Sequence, residues 1–269
     1  MKGKIILGIL TVIAIVASII FAFNVTEENG NSLERILAKG TFILGLDDSF
    51  PPMGFRNEDN EIVGFDIDVA KEVSKRLGVE LILQPISWTA KEQELNSYNI
   101  DCIWNGMSVN EERKEKMSLS DSYLKNNMSF VVKKDDVIES INDLKGKKVG
   151  VQSGSTAEEI LKKAQIYGEL DEVVSYTENI TAFMDLEINQ IDAVFLDNVV
   201  ANYYIASNDK PYKVLEETLA DEEYAIGFRK QDVELCSKVN EILKEMKKDG
   251  TLGQISKKWF GKDVTIIGE

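Results

Sequence analysis

Residues 104–113, Trp104-Asn105-Gly106-Met107-Ser108-Val109-Asn110-Glu111-Glu112-Arg113, concentrate hydrogen-bond donors after an apolar run, Ile100-Asp101-Cys102-Ile103-Trp104. The run reads as a buried strand. The chain then turns on Asn105-Gly106, offers a hydroxyl at Ser108 and reaches a guanidinium at Arg113. Amides, a hydroxyl and a guanidinium gathered at one strand end suit an anion. Without such a setting, Arg113 within Glu111-Glu112-Arg113-Lys114 reads as a solvated charge on a short helix.

Other chemistry is narrowed by what the 269 residues contain. There is no histidine, which removes His-based triads, His metal ligands and His acid/base catalysis. An enzyme would have to use carboxylate, lysine, tyrosine or cysteine. Lys plus Arg total 31 against 46 Asp plus Glu, a net charge of −15. Phosphate backbones are repelled by such a surface and no basic stripe offsets it, so nucleic acid is not an expected partner. The two cysteines, Cys102 and Cys236, lack CxxC spacing, so neither a metal nor a redox role is expected. They read either as a disulfide or as two buried thiols.

Lys2 and Lys4 precede an uncharged apolar run of 19 residues, Ile5 to Phe23. A positive flank followed by an apolar stretch is an export signal or a membrane anchor, with the lysines on the cytoplasmic side. Ala17-Ser18 and Ala22 are poor cleavage sites and no cysteine follows for lipid attachment, so the expectation leans to an uncleaved anchor. Residues 1–23 are thus expected to be signal peptide or anchor and residues 24–32 a polar linker. The remainder is expected outside the cytoplasmic membrane, tethered or secreted.

The donors need elements to hold them. Strand patterns at Phe42–Asp47, Glu80–Ile86 and Ile100–Trp104 alternate with helical patterns at Phe65–Leu77 and Trp88–Tyr98. In the first helix Phe65, Val69, Val73 and Leu77 recur every four residues and Gly78 ends it. The β-α-β-α-β order then restarts with strands at Lys148–Gln152, Val173–Tyr176 and Asp192–Asp197. Helices are expected at Thr156–Tyr167, Asn179–Asn189 and Asn198–Ser207. The stretch Leu95 to Trp104 echoes Leu186 to Phe195: a leucine, Ile-Asp five residues later, then an apolar run. Both runs end in polar side chains, Asn105 and Asp197. This is an α/β chain with two mostly parallel sheets, and ligands of such sheets sit at strand C-termini. Two further helices, Asp232–Lys248 and Leu252–Phe260, are expected to return to the first lobe. The chain would therefore cross twice, near Asn126–Phe130 and Leu219–Tyr224. The expected lobes are 33–127 with 222–269, and 128–221.

Val63-Gly64-Phe65-Asp66-Ile67-Asp68-Val69-Ala70 resembles the signature of extracellular solute-binding proteins of polar amino acid ABC importers, family 3 type. Phe50-Pro51-Pro52, Asp143 to Val151, Lys248-Asp249-Gly250-Thr251-Leu252 and Lys258-Trp259-Phe260 extend the resemblance over Leu33 to Phe260. It implies a periplasmic-binding-protein-like fold whose lobes close on a ligand between them. It implies an amino acid as ligand, a membrane permease and its ATPase as partners, a monomer, no cofactor and no metal. Carried over residue by residue, Arg113 resembles the grip on the ligand α-carboxylate, helped by the amide and hydroxyl of Ser108. Ser155 and Thr156 would donate from a helix N-terminus on the second lobe. Asp197 resembles the acceptor of the α-ammonium, with the Gly106 carbonyl beside it. Phe50 and Trp88 resemble aromatic walls, Asp47 lies where a polar or cationic side chain would end, and Asn105 shapes that pocket. Gly106 replaces the serine or other small residue of many relatives, keeping only an amide. Asp66 and Asp68 read as first-turn acids favouring a helix dipole. Asp197 and Trp88 also have bland readings, as a helix N-cap and a core residue. The alternatives to transport are a dehydratase-type enzyme on the same fold and a ligand-sensing receptor acting in trans. Arginine, lysine, glutamine, histidine and cystine all remain open as ligands.

Overall fold

The computed structural model describes residues 31–208 and 210–268. The expected anchor at 1–23 and most of the 24–32 linker lie outside them. Asn31 is a helix cap: its side chain accepts from Leu33 N and starts a helix, Ser32–Lys39, that the polar reading of this stretch did not anticipate.

Two five-stranded sheets form the two lobes. In the first, β1 (Thr41–Leu46) lies between β5 (Glu80–Pro85) and β6 (Cys102–Ile103), parallel to both. Strands β13 (Gly227–Arg229) and β7 (Met117–Leu119) extend it with antiparallel ladders, in the order β5-β1-β6-β13-β7. In the second, β9 (Lys148–Gln152) lies between β10 (Glu172–Tyr176) and β11 (Ala193–Asp197), again parallel to both. Strands β8 (Leu124–Lys133) and β12 (Tyr212–Tyr224) complete it in the order β10-β9-β11-β8-β12. Each sheet is thus mixed, with a parallel core and an antiparallel flank. The flanks exist because the chain passes between lobes. β8 and β12 pair antiparallel from Tyr212↔Lys133 to Tyr224↔Leu124, with register shifts between Val214 and Ala220, and only Met128 to Val131 of β8 also joins β11. The pairs from Leu124↔Tyr224 to Asn127↔Asp221 form a two-stranded hinge outside the β11 ladder.

In each sheet the chain leaves the central strand to one side and returns on the other. That reversal opens a crevice at the strand C-termini. Both crevices face one cleft.

Local sequence explains the elements that frame it. Helix Phe65–Leu77 buries Phe65, Val69, Val73 and Leu77, and Gly78 closes it in the left-handed conformation. Its first amides reach back to the preceding loop: Phe65 N donates to Pro52 O and Asp66 N to Met53 O. Gly64, at φ +147°, makes this possible, since a Cβ there would lie 2.1 Å from Met53 O. The loop carrying Phe50 is thereby tied to the helix. Three short strands, β2 (Ser49–Phe50), β3 (Gly54–Arg56) and β4 (Ile62–Val63), form a small antiparallel sheet over it. The helix expected over Trp88–Tyr98 divides into a 3-10 turn, Trp88–Ala90, and an α-helix, Lys91–Asn96. Helices Val233–Lys248 and Thr251–Phe260 pack on Phe65–Leu77.

Cys102 and Cys236 are separate buried thiols. Cys102 sits in β6, and Cys236 donates from its Sγ to Leu119 O at 3.2 Å. Of the two readings of the cysteines, the unpaired one describes this fold.

Candidate functional site

Asp47, Phe50, Trp88, Asn105, Gly106, Ser108, Arg113, Ser155, Thr156 and Asp197 line one narrow cavity between the lobes. Met128 and Gln152 complete its lining.

The first lobe supplies the floor. Asp47 follows β1, and its amide donates to Asn105 Oδ1 at 3.0 Å, so the ends of β1 and β6 are laced together. The Asp47 carboxylate accepts from Ser49 N and Oγ and, across the cleft, from Gln152 Nε2 at 2.6 Å. All three donors are neutral. Phe50 and Trp88 are buried and form apolar walls. Lys91 lies behind Trp88, with its ammonium 5.1 Å from the ring centre. It donates to Trp88 O and across the cleft to Gly154 O. Burial, and after it the nearby Arg113 charge, push this ammonium down to about 8.

Gly106 turns the chain at φ +57°. A Cβ there would come within 2.9 Å of Phe50 and 3.2 Å of Tyr224, so glycine fits both the conformation and the space. Its amide donates to Asp66 Oδ2 at 2.7 Å, which leaves the carbonyl as the group expected to meet the ligand. Asp66 also accepts from Tyr123 Oη at 3.0 Å and is fully buried. Asp66 stands in the first turn of its helix, as expected, and in addition anchors the turn that carries Gly106. Asp68, by contrast, accepts from Lys258 Nζ and Trp259 Nε1 and joins the last helix to the signature helix.

Burial pushes the Asp66 carboxyl up to about 7, opposed by the Gly106 amide and then by the Tyr123 hydroxyl. A folded-state pKa above the unfolded one means the folded protein binds the proton more tightly. Stability from this group is fully present below the unfolded pKa and is lost as pH rises through about 7. Melting of the unliganded protein should therefore shift upward as pH falls from about 7.5 to about 5, and Asp66→Asn should flatten much of that slope. An unchanged slope in the variant, followed by circular dichroism, would refute the assignment.

Ser108 and Arg113 are linked. The Arg113 Nη1 donates to Ser108 O at 2.6 Å, and Asn110 caps the helix Glu111–Lys116 by accepting from Arg113 N. Arg113 is only 4% exposed, yet among the described residues no carboxylate lies within ion-pair distance of it. Burial draws its pKa down, and the charges of Glu159, Glu222, Glu92 and Asp197 oppose that. A buried guanidinium with one protein hydrogen bond keeps most of its donors for something else. The Ser108 hydroxyl is occupied: it donates to Glu222 Oε2 at 2.8 Å.

The second lobe supplies the roof. Ser155 caps the helix Thr156–Lys163, accepting from Glu158 N and donating to Gln152 O, so its hydroxyl serves the fold. Thr156 Oγ1 is buried with no hydrogen-bond partner among the described residues. Asp197 ends β11, and its Oδ1 accepts from Asn126 Nδ2 at 2.8 Å and Tyr224 Oη at 2.5 Å. Burial pushes Asp197 up to about 6; it pushes Glu222 up to about 7, with the Asp197 charge as the next cause. Besides the Gln152 and Lys91 bonds, Asn110 Nδ2 reaches Glu159 across the cleft at 3.3 Å. The cleft is closed.

Sequence reasoning passed over Gln152, Met128, Asn126, Tyr224 and Glu222. Gln152 ends a recognised strand and could have been found by the same rule that found Asp197. Glu222 sits in Asp221-Glu222-Glu223, a run that resembles solvated surface.

This fold and site define an amino-acid-binding type of periplasmic-binding-protein-like protein. Residues 42–262 match the family of bacterial extracellular solute-binding proteins, family 3, and the chain belongs to it. It is 35% identical over 235 residues to the L-cystine-binding protein TcyJ of Escherichia coli strain K12, covering 87% of each chain. It is also 35% identical over 249 residues to the arginine-binding extracellular protein ArtP of Bacillus subtilis strain 168, covering 91% of this chain and 95% of that one. Among solved structures, a Streptococcus pneumoniae ABC uptake transporter substrate-binding protein with bound histidine superposes with a TM-score of 0.85 at 37% identity. The match covers 88% of this chain and 98% of that one.

Proposed function

We propose that this protein captures a polar amino acid in the interlobe cleft and delivers it to the permease and ATPase of an ABC importer. The observation that carries the reading is charge placement. Arg113 on the first lobe is buried without a carboxylate in ion-pair distance among the described residues, and Asp197 stands on the other side of the same cavity. A zwitterion satisfies both, and neither lobe alone can.

In this reading the Arg113 fork binds the α-carboxylate. The Ser108 amide joins it, since the bridge to Tyr224 is closed by Val109 and Ala225 and leaves that amide unused. The amide of Thr156, its hydroxyl, which has no partner among the described residues, and the Ser155 backbone donate from the roof. The α-ammonium meets Asp197, the Gly106 carbonyl and the Ser108 oxygen. Phe50 and Trp88 enclose the aliphatic part of the side chain, and Asp47 with Asn105 and Gln152 receives its end. Asp47 and Asp197 against Arg113 leave the lining with one excess negative charge, which favours a cationic side chain such as that of arginine. The lobes are 33–127 with 222–269, and 128–221, and the protein works as a monomer outside the cytoplasmic membrane, tethered through residues 1–23.

A thermal-shift screen of the full chain, stripped of carried-over ligand, tests this. A ligand that binds only the native state raises the melting temperature by mass action. Arginine, lysine or histidine should give the largest shifts. No shift with any common amino acid or cystine would overturn the reading, and turnover of a cyclic carboxylic acid would establish the dehydratase alternative.

A further inference from the structure

Glu222 belongs to neither wall of the cavity. It lies on the hinge half of β12, opposite Asn126 in β8, and is 8% exposed. Its Oε2 accepts a hydrogen bond from the Ser108 hydroxyl. A serine hydroxyl has one proton and two lone pairs. With that proton directed at an ionised Glu222, Ser108 turns a lone pair to the cavity and acts there as an acceptor. If Glu222 is protonated, its O–H can donate to Ser108 Oγ, and the Ser108 proton turns into the cavity.

Asp197 is the second acid of the same network. Asn126 donates to it and contacts Glu222 as well. Tyr224, on the strand of Glu222, donates to Asp197. Arg113, on the helix Glu111–Lys116, lines the cavity and its charge bears on both acids. Lys125, Asp221 and Glu223 stand on the solvent side of the two hinge strands, where Glu222 also lines an open groove with Asn198 and Asn202. Two buried carboxylates facing one guanidinium do not both ionise readily.

We propose that Glu222 is a positioning residue for the ligand ammonium, and that the Glu222–Asp197 pair holds a proton in the empty cleft that is released through the hinge groove on capture. The inference rests on reading Asp197 as the ammonium acceptor. The ammonium replaces the proton as the second positive charge beside the pair. No bond to the ligand forms or breaks; one proton passes from a carboxyl group to solvent.

The sign follows. Below the pKa of the pair, capture must displace a proton, so affinity weakens by about tenfold for each pH unit of descent. The test is calorimetry of the full chain with L-arginine, or with whichever amino acid stabilises it most, in buffers of different ionisation enthalpy. Wild-type protein should release close to one proton near pH 6, and its Kd should rise at least about tenfold from about pH 7.5 to about pH 5.5. Glu222→Gln keeps an oxygen that accepts from Ser108 but cannot titrate. Its Kd should change less than about threefold over that range, with proton release cut by more than half. Glu222→Ala, which also frees the Ser108 proton, should bind more weakly than Glu222→Gln. A purely structural Glu222 would leave the proton count unmoved. A wild-type slope retained in Glu222→Gln, or no proton release by the wild type, overturns the inference while leaving amino acid capture standing. Absence of binding at every pH overturns both.

Discussion

Arg113→Ala is expected to remove ligand binding while leaving the lobes folded. The guanidinium is buried, donates to one backbone carbonyl, and has no ion pair among the described residues. Removing it breaks little that holds the protein together and relieves a desolvated charge, while the facing Asp197 and Glu222 carboxyls can take up protons in its place. The melting temperature of the empty protein should therefore hold or rise slightly. Binding is different. A carboxylate drawn into this cavity without its cation is left uncompensated, and truncating one member of a buried charge pair costs about 2–5 kcal/mol, or about thirtyfold to a few thousandfold in Kd. Arg113→Lys should recover only part of that, because an ammonium cannot place two parallel bonds on a carboxylate. Unchanged affinity in Arg113→Ala by calorimetry would remove Arg113 from the site.

What could be read beforehand differs by length scale. The helix Phe65–Leu77 and the strand Lys148–Gln152 have the bounds their residues imply, because burial period and a terminal glycine or turn are local signals. The strand expected over Ile100–Trp104 pairs only at Cys102–Ile103. Beyond it the backbone leaves the ladder to build the cavity floor, and the Asn105 side chain takes over by holding Asp47 N. The three strands between Ser49 and Val63 are two or three residues long and carry no period to detect. The residues that line the cavity were legible as a set because resemblance orders them along the chain. Their hydrogen bonds were not. Ser108 meets Glu222 at a separation of 114 residues, and Asp66 meets Gly106 at 40. An acid in the first turn of a helix has a sufficient local explanation, so nothing near Asp66 signals its tertiary use. The same holds for Glu222 among acidic neighbours: only the pairing of the two hinge strands turns its side chain inward.

Asp47→Asn is expected to change which amino acid is held rather than whether one is held. The carboxylate is 7% exposed and receives only neutral donors, Ser49 and Gln152. Once a zwitterion has engaged Arg113 and Asp197, Asp47 is the charge left over. A cation about 4 Å away gains about 4 kcal/mol at an effective dielectric of 20, before its own desolvation reduces the net. Losing the charge should therefore weaken L-arginine by about thirtyfold or more, a little over 2 kcal/mol. Asparagine still offers an oxygen to Gln152 or Ser49, so the closing contact survives in part. L-glutamine, neutral at its end, should change by less than about threefold, since a neutral donor loses little when carboxylate becomes amide. Competition calorimetry with the two ligands separates the effects. An equal loss for both would mean that Asp47 acts through closure against Gln152, and would remove the ground for proposing a preference for a positive side chain.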